Sequence, residues 1–268
     1  MRNPDKKIAG LSISFLMSLT LAEITPCGTN GISPGILPDT PITSLDDLPL
    51  IEIPSKGSSD PRMAVFFSGD GGWVGIDKDI SGGLAQMGVA TIGVSSLRYF
   101  WKRRSRVEAS ADLERIIRSY MAKWGKRDLL LLGYSLGADI LPTLASALPP
   151  DLLNHVVLIG LMGPAKTYDL EFHIREWIPI DQDFPFPILA DLEKLRGKRI
   201  LCIHGNKERV SLCHDLDSTL AHSIEVRGTH HFRLSFGIIV ESLLVASALT
   251  DTVSAGSSSR PISPIQLP

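Results

Sequence analysis

Short, fully apolar runs alternate along this chain with longer segments whose apolar residues recur at helical spacing. Met63–Phe67, Val89–Val94, Leu129–Leu132, His155–Leu161, Arg199–Ile203 and Ser223–Val226 are four to seven residues long and bounded by glycine or polar clusters, the signature of buried strands. An edge strand is predicted near Leu48–Ile53. Between the runs, helices are predicted around Ile76–Met87, Ala109–Trp124, Ala138–Leu148, Ile188–Leu195 and Phe236–Thr250. Ser105 with Glu108 three residues later is a capping box that starts the second of these. Strands that alternate with helices at this spacing form a mostly parallel sheet covered on both faces, an α/β fold. In such sheets chemistry gathers at the carboxyl ends of the strands, which directs attention to the turns that follow each apolar run.

One of those turns carries Gly133-Tyr134-Ser135-Leu136-Gly137. A Gly-x-Ser-x-Gly between a buried strand and a helix is a nucleophile elbow: the tight turn lifts the serine hydroxyl above the sheet edge. The N–H of Leu136, at the start of the helix, then points at an oxyanion formed on Ser135. A serine nucleophile needs a base and an orienting acid, and in this fold they follow in the order acid, then histidine. Arg227-Gly228-Thr229-His230-His231-Phe232 supplies the base, with His231 the first choice and His230 the rival. For the acid, Glu208 lies just past the strand Arg199–Ile203, and Asp215 is the alternative. The glycine-rich Ser68-Gly69-Asp70-Gly71-Gly72-Trp73 is the natural source of a second oxyanion donor, the N–H of Asp70 or Gly71. Asp70 and Asp139 are candidates for holding a cationic part of a substrate; the other readings are that Asp70 caps its own turn or the next helix and that Asp139 bonds a neighbouring loop. Arg98, in a run of aromatics and cations from Arg98 to Arg104, is a candidate for an anionic headgroup; a packed aromatic strand end with solvated charges is the other reading.

Composition adds location more than chemistry. The 268 residues are 44 % hydrophobic and 21 % charged, enough for one sizeable core, and the net charge of −2 gives no reason to expect direct binding to nucleic acid. Arg2, Lys6 and Lys7 precede an apolar run from Ile8 to Leu21, so residues 1–22 read as a signal peptide and the protein as exported to the periplasm; an uncleaved anchor is the alternative. Residues 23–60 read as an irregular lead-in, 61–250 as the α/β domain and 251–268 as a disordered tail. Of three cysteines, Cys202 and Cys213 lie close enough in sequence to form a disulfide in an oxidising compartment, or to remain two thiols. No cysteine or histidine spacing matches a zinc site, and no metal or organic cofactor is called for.

Five blocks in one order extend the pattern beyond the elbow: Ser68–Trp73, Ser96–Trp101, Gly133–Pro142, Ser211-Leu212-Cys213 and His230-His231-Phe232. Together they resemble the bacterial virulence protein family of VirJ and AcvB, in its short, single-domain form. The resemblance implies an exported protein of α/β-hydrolase fold linked to type IV secretion and T-DNA transfer. It also implies hydrolysis of the aminoacyl ester of lysyl-phosphatidylglycerol at the membrane surface. The partners it implies are that lipid, and secretion components or secreted virulence proteins. The sequence departs from the family in its acid loop, Asn206-Lys207-Glu208-Arg209-Val210, where only Glu208 keeps a carboxylate, and in Arg233 after Phe232. A non-catalytic periplasmic adaptor on the same fold is the competing reading.

Overall fold

The computed structural model describes residues 44–57, 60–102, 104–165 and 188–248. The signal segment, most of the lead-in, Cys27 and the tail lie outside them. Seven strands form one sheet: β1 (Leu50–Ile53), β2 (Arg62–Phe67), β3 (Ala90–Val94), β4 (Asp128–Tyr134), β5 (Val156–Met162), β6 (Ile200–Gly205) and β7 (His222–Val226). Their order is β1-β3-β2-β4-β5-β6-β7, with every pair parallel except β1 against β3. All the strands predicted from the apolar runs are present, each within one or two residues of its expected ends.

The inner strands are buried on both faces because they are apolar almost throughout, whereas β7 is a partly exposed edge that carries His222, Ser223 and Glu225. Met63, Val65 and Phe67 of β2 and Leu129 and Leu131 of β4 join one core, while Ala64, Phe66, Leu130 and Leu132 face the other. The first core is closed by α3 (Arg106–Trp124), α4 (Leu136–Ser146) and α6 (Ile188–Lys194), the second by α1 (Gly75–Gln86) and α7 (Phe236–Ala248). Ser105 caps α3 as its sequence requires: its hydroxyl accepts the Glu108 N–H at 3.2 Å, and the Glu108 carboxylate accepts the Ser105 N–H at 2.7 Å. Gly125 closes the other end in the left-handed conformation that favours glycine.

Two short helices have no periodicity to announce them, α2 (Ser96–Tyr99) and α5 (Pro150–Leu153), and a single 3-10 turn spans Leu212–His214. At α2 the run of aromatics and cations divides into two sets. Tyr99 and Phe100 are buried, the Tyr99 hydroxyl donates to Asp112 at 2.7 Å, and Arg104 both pairs with Asp112 at 2.8 Å and lies 4.3 Å over the Tyr99 ring. Arg98, Trp101 and Lys102 remain exposed. Among the described residues no helix is long and apolar enough to cross a membrane.

Candidate active site

Strand β4 ends at Tyr134 and helix α4 begins at Leu136, so the whole change of direction falls on Ser135. Its φ of 51° and ψ of −120° lie far from the regions open to L-residues, and such strain persists only where neighbours enforce it. Here they do. The Ser135 N–H continues the ladder to the Met162 carbonyl at 2.9 Å, and its carbonyl already accepts the Asp139 N–H of the first helical turn at 3.0 Å. A Cβ on Gly137 would collide with the Phe67 carbonyl, so only glycine lets α4 start this close to the end of β2. The same closeness brings the loop after β2 beside the serine, where a Cβ on Gly69 would lie 3.4 Å from the Ser135 Cβ.

The serine hydroxyl stands 2.9 Å from Nε2 of His230, and Nδ1 of the same imidazole stands 2.7 Å from Oε1 of Glu208. Three residues from the ends of β4, β6 and β7 thus form one continuous line of hydrogen bonds. Glu208 is fixed through its other oxygen, which accepts the Gly205 N–H at 3.2 Å. Its loop is clasped to the histidine loop: the Lys207 N–H donates to the Gly228 carbonyl at 2.9 Å, and the Gly228 N–H to the Asn206 side chain at 3.0 Å. Gly163, at φ 63°, leaves the space the imidazole fills, since a Cβ there would lie 2.7 Å from two ring atoms of His230.

The expected base was His231, and here the geometry corrects the expectation. Thr229, His230, His231 and Phe232 form a turn closed by the Phe232 N–H on the Thr229 carbonyl at 3.0 Å. Phe232 takes a left-handed φ of 51° while its ring is fully buried beside Tyr134, 6.1 Å between centroids. Anchored this way, the turn aims His230 inward and leaves His231 exposed, with Nδ1 3.4 Å from the Tyr134 hydroxyl. The carboxylate that reaches the imidazole is Glu208; the alternative, Asp215, follows the 3-10 turn at the surface. Of the two readings of Asp139, the geometry shows the bond to a neighbouring loop. The residue is buried, and its carboxylate accepts the Ala165 N–H at 2.8 Å, holding the segment after β5 instead of standing open at the rim. Asp70 and Arg98 are exposed, and Gly71 lies in the open part of the β2 loop.

Burial pushes the Asp139 carboxyl up to about 7, opposed by its bond from Ala165 and by the nearby imidazole, and aided by the charges of Asp70 and Glu208. For His230, burial works against the charged form, but the Glu208 hydrogen bond and charge, with Asp139 and Asp70 behind them, raise it above the ordinary 6.5. A histidine must be neutral to act as a general base, and the raised His230 becomes so only at a pH above that of an ordinary imidazole. The acidic limb of kcat/KM is expected above 6.5 in the native protein and at lower pH in Glu208→Gln than in the native protein. A limb that ignored Glu208→Gln and moved with Asp139→Asn would assign the ionisation to Asp139. The stability contribution runs the other way: a raised histidine stabilises the fold below its unfolded value and loses that effect as pH rises through the folded one.

The sequence missed Asp77. It replaces a conventional cap at the start of α1, where its Oδ2 accepts the Val74 N–H at 3.0 Å, while Oδ1 is buried without a partner and burial drives the carboxyl up to about 7. Cys202 and Cys213 are joined, closing an 11-residue separation that contains Glu208.

The same architecture occurs in proteins of low sequence identity. Est1E from Butyrivibrio proteoclasticus superposes with a TM-score of 0.57 at 12 % identity, over 76 % of this chain and 96 % of that one. The esterase domain of a Rhodothermus marinus protein gives 0.53 at 14 % identity, over 74 % and 97 %. An alpha-beta serine hydrolase homologue from Coxiella burnetii gives 0.52 at 14 %, over 73 % and 89 %. These likenesses establish the α/β-hydrolase fold. No curated protein matches the sequence. The family model described as bacterial virulence protein (VirJ) matches residues 61–250, the span that holds the whole sheet from β2 onward and all three members of the hydrogen-bonded line, and the chain belongs to that family.

Proposed function

We propose that this protein is a serine esterase that removes the aminoacyl group from lysyl-phosphatidylglycerol. The observation that carries the proposal is the unbroken line from Ser135 through His230 to Glu208, with both contacts below 3 Å. In the first half-reaction His230 Nε2 takes the Ser135 proton as Oγ attacks the lysyl carbonyl carbon. The imidazolium that results is stabilised by Glu208 through Nδ1–H. Negative charge moves to the carbonyl oxygen, where the free N–H of Leu136 at the start of α4 is the first donor and the Gly69–Gly71 backbone the source of the second. As the intermediate collapses, the ester C–O bond breaks, His230 returns its proton to the glycerol oxygen, and phosphatidylglycerol leaves. Water, activated by the same imidazole, then attacks the lysyl-serine ester and releases lysine with Ser135 restored.

Lysine carries two ammonium groups, and the exposed Asp70 beside the serine is suited to hold one of them; the exposed Arg98 of α2 would take the phosphate. Export to the periplasm and support of type IV secretion belong to this reading as consequences of changing the lipid composition of the membrane. The test is release of lysine from lysyl-phosphatidylglycerol by the purified protein and by Ser135→Ala. Release by the native protein that disappears in the variant is expected. Equal release from both, or none from either, would remove the esterase and favour an adaptor.

A further inference from the structure

Among the described residues, most of the exposed large apolar side chains are gathered at one end. Val74 (51 % exposed), Trp101 (59 %), Val210 (63 %) and Leu234 (72 %) each lie on a different loop, after β2, β3, β6 and β7 in turn. Val107, Leu189 and Ile238 occupy the first turns of α3, α6 and α7, which also begin at the carboxyl end of the sheet. Met87 and Val245, the remaining two, lie at the opposite end. A single exposed apolar residue needs no explanation, but a set on four separate loops around one opening does. The same four loops carry exposed Arg98, Lys102, Lys207, Arg209, Arg227 and Arg233, against exposed Asp70, Asp215 and Asp217 among their described residues. The molecule as a whole is mildly acidic, so this excess of cations is local.

We propose that the carboxyl-end rim is a membrane-docking face, on which the four loop-borne apolar side chains enter the interface of an anionic bilayer while the neighbouring cations bind its headgroups. Apolar side chains interleaved with arginine and lysine are the composition of surfaces that lie in a lipid interface. An indole at 59 % exposure is suited to the headgroup level, having an apolar body and a polar N–H. Docking in this orientation sets the mouth above Ser135 directly against the lipid. This inference rests on the lipid-ester reading for its purpose, but its test is independent of catalysis.

The full chain is mixed with vesicles of phosphatidylcholine alone or with phosphatidylglycerol, and binding is read by co-sedimentation and by the tryptophan emission shift. The native protein and Ser135→Ala are both expected to bind the anionic vesicles. Trp101→Ser with Leu234→Ser, and Lys102→Glu with Arg233→Glu, are each expected to weaken that binding by about tenfold or more. Hydrolysis of soluble p-nitrophenyl acetate should be unchanged in both double variants, which shows that they are folded. Equal binding of native and variant proteins, or apolar variants that instead dissolve a self-associated form, would overturn the docking face. Loss of soluble-ester hydrolysis in Ser135→Ala speaks only to the esterase.

Discussion

His230→Ala is expected to lower kcat/KM for an ester by about 10⁴-fold, whereas His231→Ala should stay within about tenfold of the native value. The contrast follows from the turn that presents both residues. His230 is bonded at both ring nitrogens, 2.9 Å to the nucleophile and 2.7 Å to the acid, so its removal deprives Ser135 of its base and leaves Glu208 facing a void. His231 reaches only the Tyr134 hydroxyl, at 3.4 Å, from an exposed position. Because members of such a line act as a unit, Ser135→Ala with His230→Ala should cost little more than either alone. Parallel kinetics on the two single variants decide the matter. A larger loss from His231→Ala would mean that the turn rearranges when substrate binds.

The second large effect concerns the disulfide. Replacing Cys202 and Cys213 together by alanine is expected to lower stability by about 3 kcal/mol, from the loop entropy that a closure of this length removes from the unfolded chain. For a domain of this size that corresponds to a fall in Tm of about 6–12 °C. The loop so released is the one that carries Glu208. Its other ties include the clasp to Gly228, the Asn206 N–H on the Val226 carbonyl at 2.8 Å, the Leu212 N–H on the Pro164 carbonyl at 2.9 Å and a bond of 3.1 Å between the His214 imidazole and the Glu208 carbonyl. Turnover should therefore fall even at temperatures where the variant stays folded, and the acidic limb should move in the direction expected for Glu208→Gln. Calorimetry with pH-dependent kinetics separates the two effects. A variant that lost stability but kept the native pH profile would show that these other ties suffice to hold the acid.

Most of this architecture was legible in the sequence for one physical reason. A parallel sheet buried on both faces requires its inner strands to be apolar almost throughout, and runs such as Leu129–Leu132 meet that requirement. The elbow was legible because few arrangements place two glycines around a serine between strand and helix. The choice between His230 and His231 was not. It depends on a left-handed residue, Phe232, whose own composition argues against that conformation and which is held there by its buried ring. For Asp139 the sequence left two roles open, because a chain read in one dimension does not reveal that Ala165 passes within 2.8 Å. Nor does it reveal the role of Asp77, whose bond to Val74 replaces a cap that no serine or threonine signals. Departures from the family pattern in the acid loop proved compatible with the geometry, since Glu208 by itself supplies both the contact to the imidazole and the bond to Gly205.

The backbone of Ser135 has one further implication, for how this chain can evolve. A φ of 51° with ψ of −120° suits glycine far better than any residue with a Cβ, so the fold carries a standing penalty at this position. Selection for stability alone would remove the hydroxyl, and a lineage freed from its chemistry would be expected to drift to glycine here first. The serine's persistence in a relative can therefore serve as a marker of retained activity, written in the one place where the fold gains nothing from keeping it.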